Sequence, residues 1–111
     1  IDTSIILDGF ASQMPQFPGG EQALQRFIID NFYISDMMLE YVTEVRVVME
    51  YVINRQGYVT DIKVISSDQS GFGVEKEAIR VIKKLPRWIP GKHRGEVVSV
   101  RVKQPIVIKI L

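Results

Sequence analysis

Between Val98 and Ile110, five of the six alternation steps land on a β-branched residue: Val98, Val100, Val102, Ile106, Ile108 and Ile110 share one parity. A repeat of two is the repeat of a strand, so this stretch predicts one long strand with five or more side chains on a single buried face. Such a strand needs a neighbour along its length and a covering layer over its apolar face. Pro105 falls on the opposite parity. Without an N–H it cannot donate to a ladder, which points to an edge strand or a bulge rather than a central position.

The rest of the chain supplies the neighbour and the cover. Val45, Val47, Met49, Tyr51 and Ile53 alternate with Arg46, Val48, Glu50 and Val52, predicting a second long strand. Asn54-Arg55-Gln56-Gly57 then reads as a hairpin link into a strand over Tyr58 to Ser66. Val59, Ile62 and Val64 do not keep one parity, which predicts a bulge. Pro15 and Pro18-Gly19-Gly20 prevent helix, after which Leu24, Phe27, Ile28 and Phe32 mark one face of a helix from Glu21 to Phe32. Ser66 to Gly73 reads as loop. Val74, Ala78, Val81, Ile82 and Leu85 mark a second helix, stopped by Pro86. Ile5-Ile6-Leu7 reads as an edge strand or a packing arm.

The element order is helix, strand, strand, helix, strand. A helical crossover closes most simply if the third strand pairs with the first. The expectation is an α+β fold: a three-stranded antiparallel sheet in the order 2-1-3, packed against two helices, with the last strand exposed along one side. One domain is expected over 1–111, with 1–13 as an arm and 14–111 as the core.

The 111 residues suffice for one core. No apolar run approaches the ~20 residues of a membrane span, and no signal-like stretch opens the chain. The sequence reads as a soluble domain, equally well as the end of a longer anchored protein. The absence of cysteine removes disulfides, thiolate nucleophiles and zinc-finger sites and leaves the compartment open. Residues 1–79 hold five Lys/Arg against twelve Asp/Glu, and residues 80–111 hold nine against one. The basic last third suits an acidic partner, an anionic lipid, nucleic acid or plain solvent. Helix-based readout motifs and strand-borne aromatics for bases are absent, so no nucleic acid is expected. His93 stands alone in a Pro/Gly/Lys/Arg loop and reads as a surface residue, with no metal site. Trp88 directly follows an amphipathic helix and reads as a lid over the core. No base is placed for Ser66, Ser67 or Ser70, and neither an enzyme nor a cofactor is expected. Met37, Met38 and Leu39 read first as core, and as an adaptable partner site if exposed.

Three stretches go beyond secondary structure. Met14-Pro15-Gln16-Phe17-Pro18-Gly19-Gly20 leads into the first helix; Asn54 to Val64 reads Asn-Arg-Gln-Gly-Tyr-Val-Thr-Asp-Ile-Lys-Val; Trp88-Ile89-Pro90-Gly91-Lys92 and Gly95 follow the second helix. In order and spacing these resemble the C-terminal domains of TonB-family energy transducers of the Bacteroidetes type. Two positions differ from that pattern: Tyr33-Ile34 replaces Tyr-Pro, and Glu44-Val45 replaces a glycine opening. Ser35 to Thr43 is also unusual, a helix extension or a partner surface.

The resemblance implies a periplasmic, non-enzymatic module anchored to the inner membrane through a segment outside this chain. It would be driven by an ExbB/ExbD-type motor and would hold the TonB-box peptide of outer-membrane receptors by β-augmentation. The candidate peptide-binding residues are Val97, Ser99, Arg101, Lys103, Val107 and Lys109 on the last strand. Carried over with the family are Asp30, Asn31, Phe32 and Tyr33. An open edge also allows a homodimer by strand pairing. The alternative keeps the fold as a TonB-like interaction domain of a membrane sensor or peptidase, or of a solitary periplasmic protein.

Overall fold

The computed structural model describes residues 5–7, 9–68 and 71–110. In chain order the elements are β1 (Ile5–Leu7), α1 (Gly20–Asn31), α2 (Asp36–Tyr41), β2 (Glu44–Ile53), β3 (Val59–Ser67), α3 (Val74–Lys83), β4 (Gly91–His93) and β5 (Glu96–Lys109). The hairpin link forms as its residues require. Asn54 N–H donates to Tyr58 O, Gly57 N–H to Asn54 O, and the Asn54 side chain accepts from the N–H groups of Gln56 and Tyr58. Gly57 takes φ +90, a left-handed conformation that suits glycine.

The architecture is α+β, but larger than expected from the sequence: three helices and five strands among the described residues. The sheet path is β1-β5-β2-β3, with β4 also paired to β5. β2 pairs antiparallel with both β3 and β5, whereas β1 pairs parallel with β5 at Ser99–Arg101. The last strand is therefore not bare along a whole side. Of the two strands beyond the expected three, β1 is the Ile5–Leu7 stretch that reads as an edge strand or a packing arm, and β4 is three residues, too short for periodicity to register. The added helix α2 is a six-residue turn capped by Ser35, whose Oγ accepts from Met38 N–H at 3.2 Å.

The core lies between the helices and one face of the sheet. Leu24 and Ile28 of α1, Val74, Ala78, Val81 and Ile82 of α3, and Val45, Val47, Met49, Tyr51 and Ile53 of β2 are all buried. Each fully buried aliphatic side chain stabilises the fold by roughly 1.5–3 kcal/mol relative to exposure. From β5, Val100, Val102 and Ile106 are buried while Val98, Ile108 and Ile110 are packed at the margin. Gln104 shares their parity and is buried as well, its Nε2 donating to Pro105 O.

Two of the sequence motifs meet in space. Gln16 and Ile89 exchange backbone hydrogen bonds, as do Gln13 and Lys92. The Pro-rich lead-in is thus zipped to the stretch after α3. Phe17 is buried edge-on to Trp88 at 5.4 Å, and Trp88 lies edge-on to Tyr51 at 6.1 Å. Trp88 is a lid over the core, as its position after the helix suggests. His93 is half-buried rather than a plain surface residue.

Candidate functional site

The register of β2 with β5 runs without a shift from Glu44↔Lys109 to Ile53↔Val100, and Ile110 N–H donates to Thr43 O. In an antiparallel ladder, residues of one parity direct both backbone groups to the same neighbour. Ile110 and its parity mates back to Val100 therefore face β2, while Lys103, Pro105, Val107 and Lys109 turn their backbone groups away from it. Among the described residues nothing pairs with that flank from Lys103 to Lys109. The missing N–H of Pro105 belongs to this outward set, which is why proline is tolerated there.

Upstream, the same flank is partly taken. Ser99 and Arg101 lie opposite Ile5 and Leu7 of β1. Lys92 has both backbone groups bonded to Gln13, so Gly91 and His93 face β5. Their partners Val98 and Glu96 share the parity of Val100, which places β4 on the β2 side, continuing its line past the hairpin. Val97 keeps its outward flank. The opposite edge of the sheet, β3, is irregular: its register against β2 shifts twice, and Asp61 takes φ +53. Bulges of that kind discourage pairing. The regular, unoccupied main chain is on β5.

The ten candidate residues do not form one cluster. Lys103, Val107 and Lys109 sit on the open flank, with Val107 42% exposed. Arg101 turns its side chain across the sheet to Glu50 (3.2 Å) and Asp61 (3.0 Å). Phe32 is a core residue, 6% exposed. Its buried ring corrects the expectation of direct peptide contact, because a helix-end phenylalanine is worth more inside than outside. Asp30 and Asn31 line a shallow groove with Phe17, Arg26 and Pro86. Tyr33 faces a different groove, between α2 and α3.

The end of α1 is fixed by a latch that sequence reading does not reveal. Tyr33 N–H donates to Glu77 Oε2 (2.6 Å), Arg80 donates to the Glu77 carboxylate, and Arg80 also donates to Asn31 O (2.7 Å). Glu77 and Arg80 are a visible i,i+3 pair, but Tyr33 is 44 residues away. The Arg80 hydrogen bond, aided by Tyr33 N–H and opposed by burial, holds the Glu77 carboxyl below its ordinary 4.5. A carboxylate with a depressed folded-state pKa adds stability that is fully present above its unfolded value and is lost as pH falls through the folded one. Urea unfolding from pH 7 down to pH 3 is therefore expected to show Glu77→Gln less stable than the parent at neutral pH. The gap should close below about pH 4.5. A gap independent of pH would show that the charge of Glu77 is not what holds α1 in place.

The groove at Tyr33 is the other notable feature. Met38 is buried, but Met37 and Leu39 are exposed, so the Met-Met-Leu run is only partly core. Gly71, Phe72 and Gly73 all have positive φ, and the ring of Phe72 stacks on Tyr41 at 5.5 Å. A positive φ is unfavourable for a bulky residue; the stacking contact offsets part of that cost. Among the described residues no cluster of acidic, histidine or cysteine side chains could hold a metal ion.

Comparison with known proteins agrees with this geometry. Residues 43–110, from the start of β2 through β5, match the family model for the Gram-negative bacterial TonB protein C-terminal. The solution NMR structure of the Helicobacter pylori TonB-CTD superposes with a TM-score of 0.60 at 26% identity, covering 80% of this chain and 91% of that one. A search of curated proteins found no match. With three-fifths of its length inside the family model and its fold shared with a solved member, the chain belongs to the TonB C-terminal domain family, a family of interaction modules and not of enzymes.

Proposed function

We propose that this domain is the periplasmic peptide-binding end of a TonB-type energy transducer, and that the receptor peptide docks as an added strand on β5 from Lys103 to Lys109. The observation that supports this is the run of outward main-chain groups on a regular strand whose other flank is held by β2. An incoming extended segment would complete those hydrogen bonds, and its side chains would meet Lys103, Val107 and Lys109. The ExbB/ExbD-type motor would act through an inner-membrane anchor outside this chain, and the domain would carry force from it to outer-membrane receptors. Two copies pairing through the same flank would compete with the peptide.

A synthetic TonB-box peptide titrated into the labelled domain is expected to shift amide resonances of residues 103–109. Shifts confined to α3 would defeat the reading. β1 blocks the next stretch of flank, at Ser99–Arg101. Deleting residues 1–7 is expected to lengthen the usable edge and tighten peptide binding by up to roughly tenfold, one or two added hydrogen bonds' worth. Weaker binding after the deletion would mean that β1 is part of the site, not a cover over it.

A further inference from the structure

The groove between α2 and α3 lies apart from the β5 edge, since α3 packs on β3 and β2. It has a cavity volume of about 650 Å3. Its apolar wall is made by Met37, Phe72 and Ile79, with Tyr33 at one side. Met37 is 54% exposed, Tyr33 66% and Phe72 39%, an unusual concentration of large apolar side chains in one place. Thioethers on flexible stems suit a surface that must adapt to a partner's side chains.

α3 presents two stripes. Val74, Ala78, Val81 and Ile82 go to the core, whereas Lys76, Ile79, Arg80 and Lys83 line the groove at helical spacing. Arg80 is engaged by Glu77 and Asn31. Lys76 and Lys83 have no ion-pair partner among the described residues. They stand two turns apart, about 10 Å along the helix axis. Ile79 lies between them on the same stripe of α3. Side chains of an extended chain share a face only at every second residue. The same-face spacing nearest to the lysine separation is four residues, about 13 Å, which the flexible lysine stems span. The elements forming the groove also carry Asp36, Glu40 and Glu75, which oppose a broad anionic membrane surface but leave two discrete carboxylates free to reach the lysines.

We propose that this groove docks an extended acidic-apolar segment of a partner protein. Two carboxylates four residues apart, on one face of that segment, would meet Lys76 and Lys83, with the apolar side chain midway between them seated on Met37, Phe72 and Ile79. This second interaction surface does not depend on the assignment of β5 as the receptor-peptide edge.

The probe is the peptide acetyl-Gly-Ser-Glu-Ser-Phe-Ser-Glu-Gly-Ser-amide, titrated to millimolar concentration into the domain with labelled methyl groups and amides. Expected are shifts at the Met37 and Met38 methyls, at Ile79 and around Lys76 and Lys83, with residues 103–109 unmoved. Lys76→Glu combined with Lys83→Glu should weaken binding by about tenfold or more, as should replacing both peptide glutamates by glutamine. Both lysines are exposed, and a dispersed spectrum of the double variant confirms that it folds. No shift in the groove, or binding that ignores either charge change, overturns the proposal. So does retention on phosphatidylglycerol vesicles that the peptide does not compete, which would make the groove a membrane contact. A concentration-dependent dimer that buries Met37 would overturn it as well.

Discussion

Replacing Gly57 by alanine is expected to lower the unfolding free energy by about 3 kcal/mol, much more than the same change at a left-handed glycine with open space around it. A Cβ at residue 57 would stand 2.0 Å from Trp88 O and 3.1 Å from Trp88 C, both backbone atoms. That approach is enforced by a hydrogen bond, because Trp88 N–H donates to Gly57 O at 2.8 Å. Relief would require parting the hairpin from the residue that seals the core over Phe17 and Tyr51. The φ of +90 adds a penalty for any L side chain. Gly95, in the β4–β5 turn, is the matched control: φ is +81 but a Cβ there would meet nothing within 4 Å. Gly95→Ala should lose only about 1 kcal/mol. Trp88 is the only tryptophan and is buried, so its fluorescence follows urea unfolding of both variants directly. Equal losses at the two sites would show that conformational preference alone, and not the contact with Trp88, makes residue 57 a glycine.

The same comparison shows what the residues disclose by themselves. β2, β3, β5, α1 and α3 are long enough for a repeat of 2 or 3.6 to stand out, and the irregular parity around Val59 and Ile62 announces the register shifts seen between β2 and β3. β4 and α2 hold three and six residues, fewer than two full periods of signal, and β1, of three, reads from its apolar run only as an edge strand or a packing arm. They exist because tertiary neighbours accept them. Ile6, for example, is half-buried beside Val100, a partner far away in the chain. The parity of Pro105 points correctly to a flank without a strand, but only the pairing of β1 with Ser99–Arg101 reveals that the continuous open run starts at Lys103 and leaves Val97 cut off from it. The Met-Met-Leu run resolves into one core residue and two exposed ones for a similar reason. Helical spacing fixes relative directions of side chains, not which direction the rest of the fold covers.

Val107→Pro is expected to abolish binding of a receptor-box peptide, a loss of about a hundredfold or more, while the domain stays folded. Residue 107 belongs to the parity whose N–H faces away from β2, so proline there removes no bond that the domain makes to itself. Pro105 already occupies an equivalent outward position two residues earlier. It thereby withholds one donor from the outward run, and a second proline at 107 would leave Lys103 and Lys109 as the run's only N–H donors, too far apart to hold an added strand between them. Ile106→Pro is the contrasting change. Ile106 lies opposite Val47, directs its N–H into the β2 ladder and is buried, so its replacement should destabilise the domain by about 3 kcal/mol or more. Ser99→Pro differs again, because the flank at Ser99 is held by β1; it should loosen β1 and leave peptide affinity at Lys103–Lys109 little changed. Calorimetric titration, with circular dichroism to confirm folding, separates the three. Undiminished affinity in the folded Val107→Pro domain would mean that the peptide is not held through the main chain of β5. The unpaired run from Lys103 to Lys109 would then be no more than a protected sheet edge.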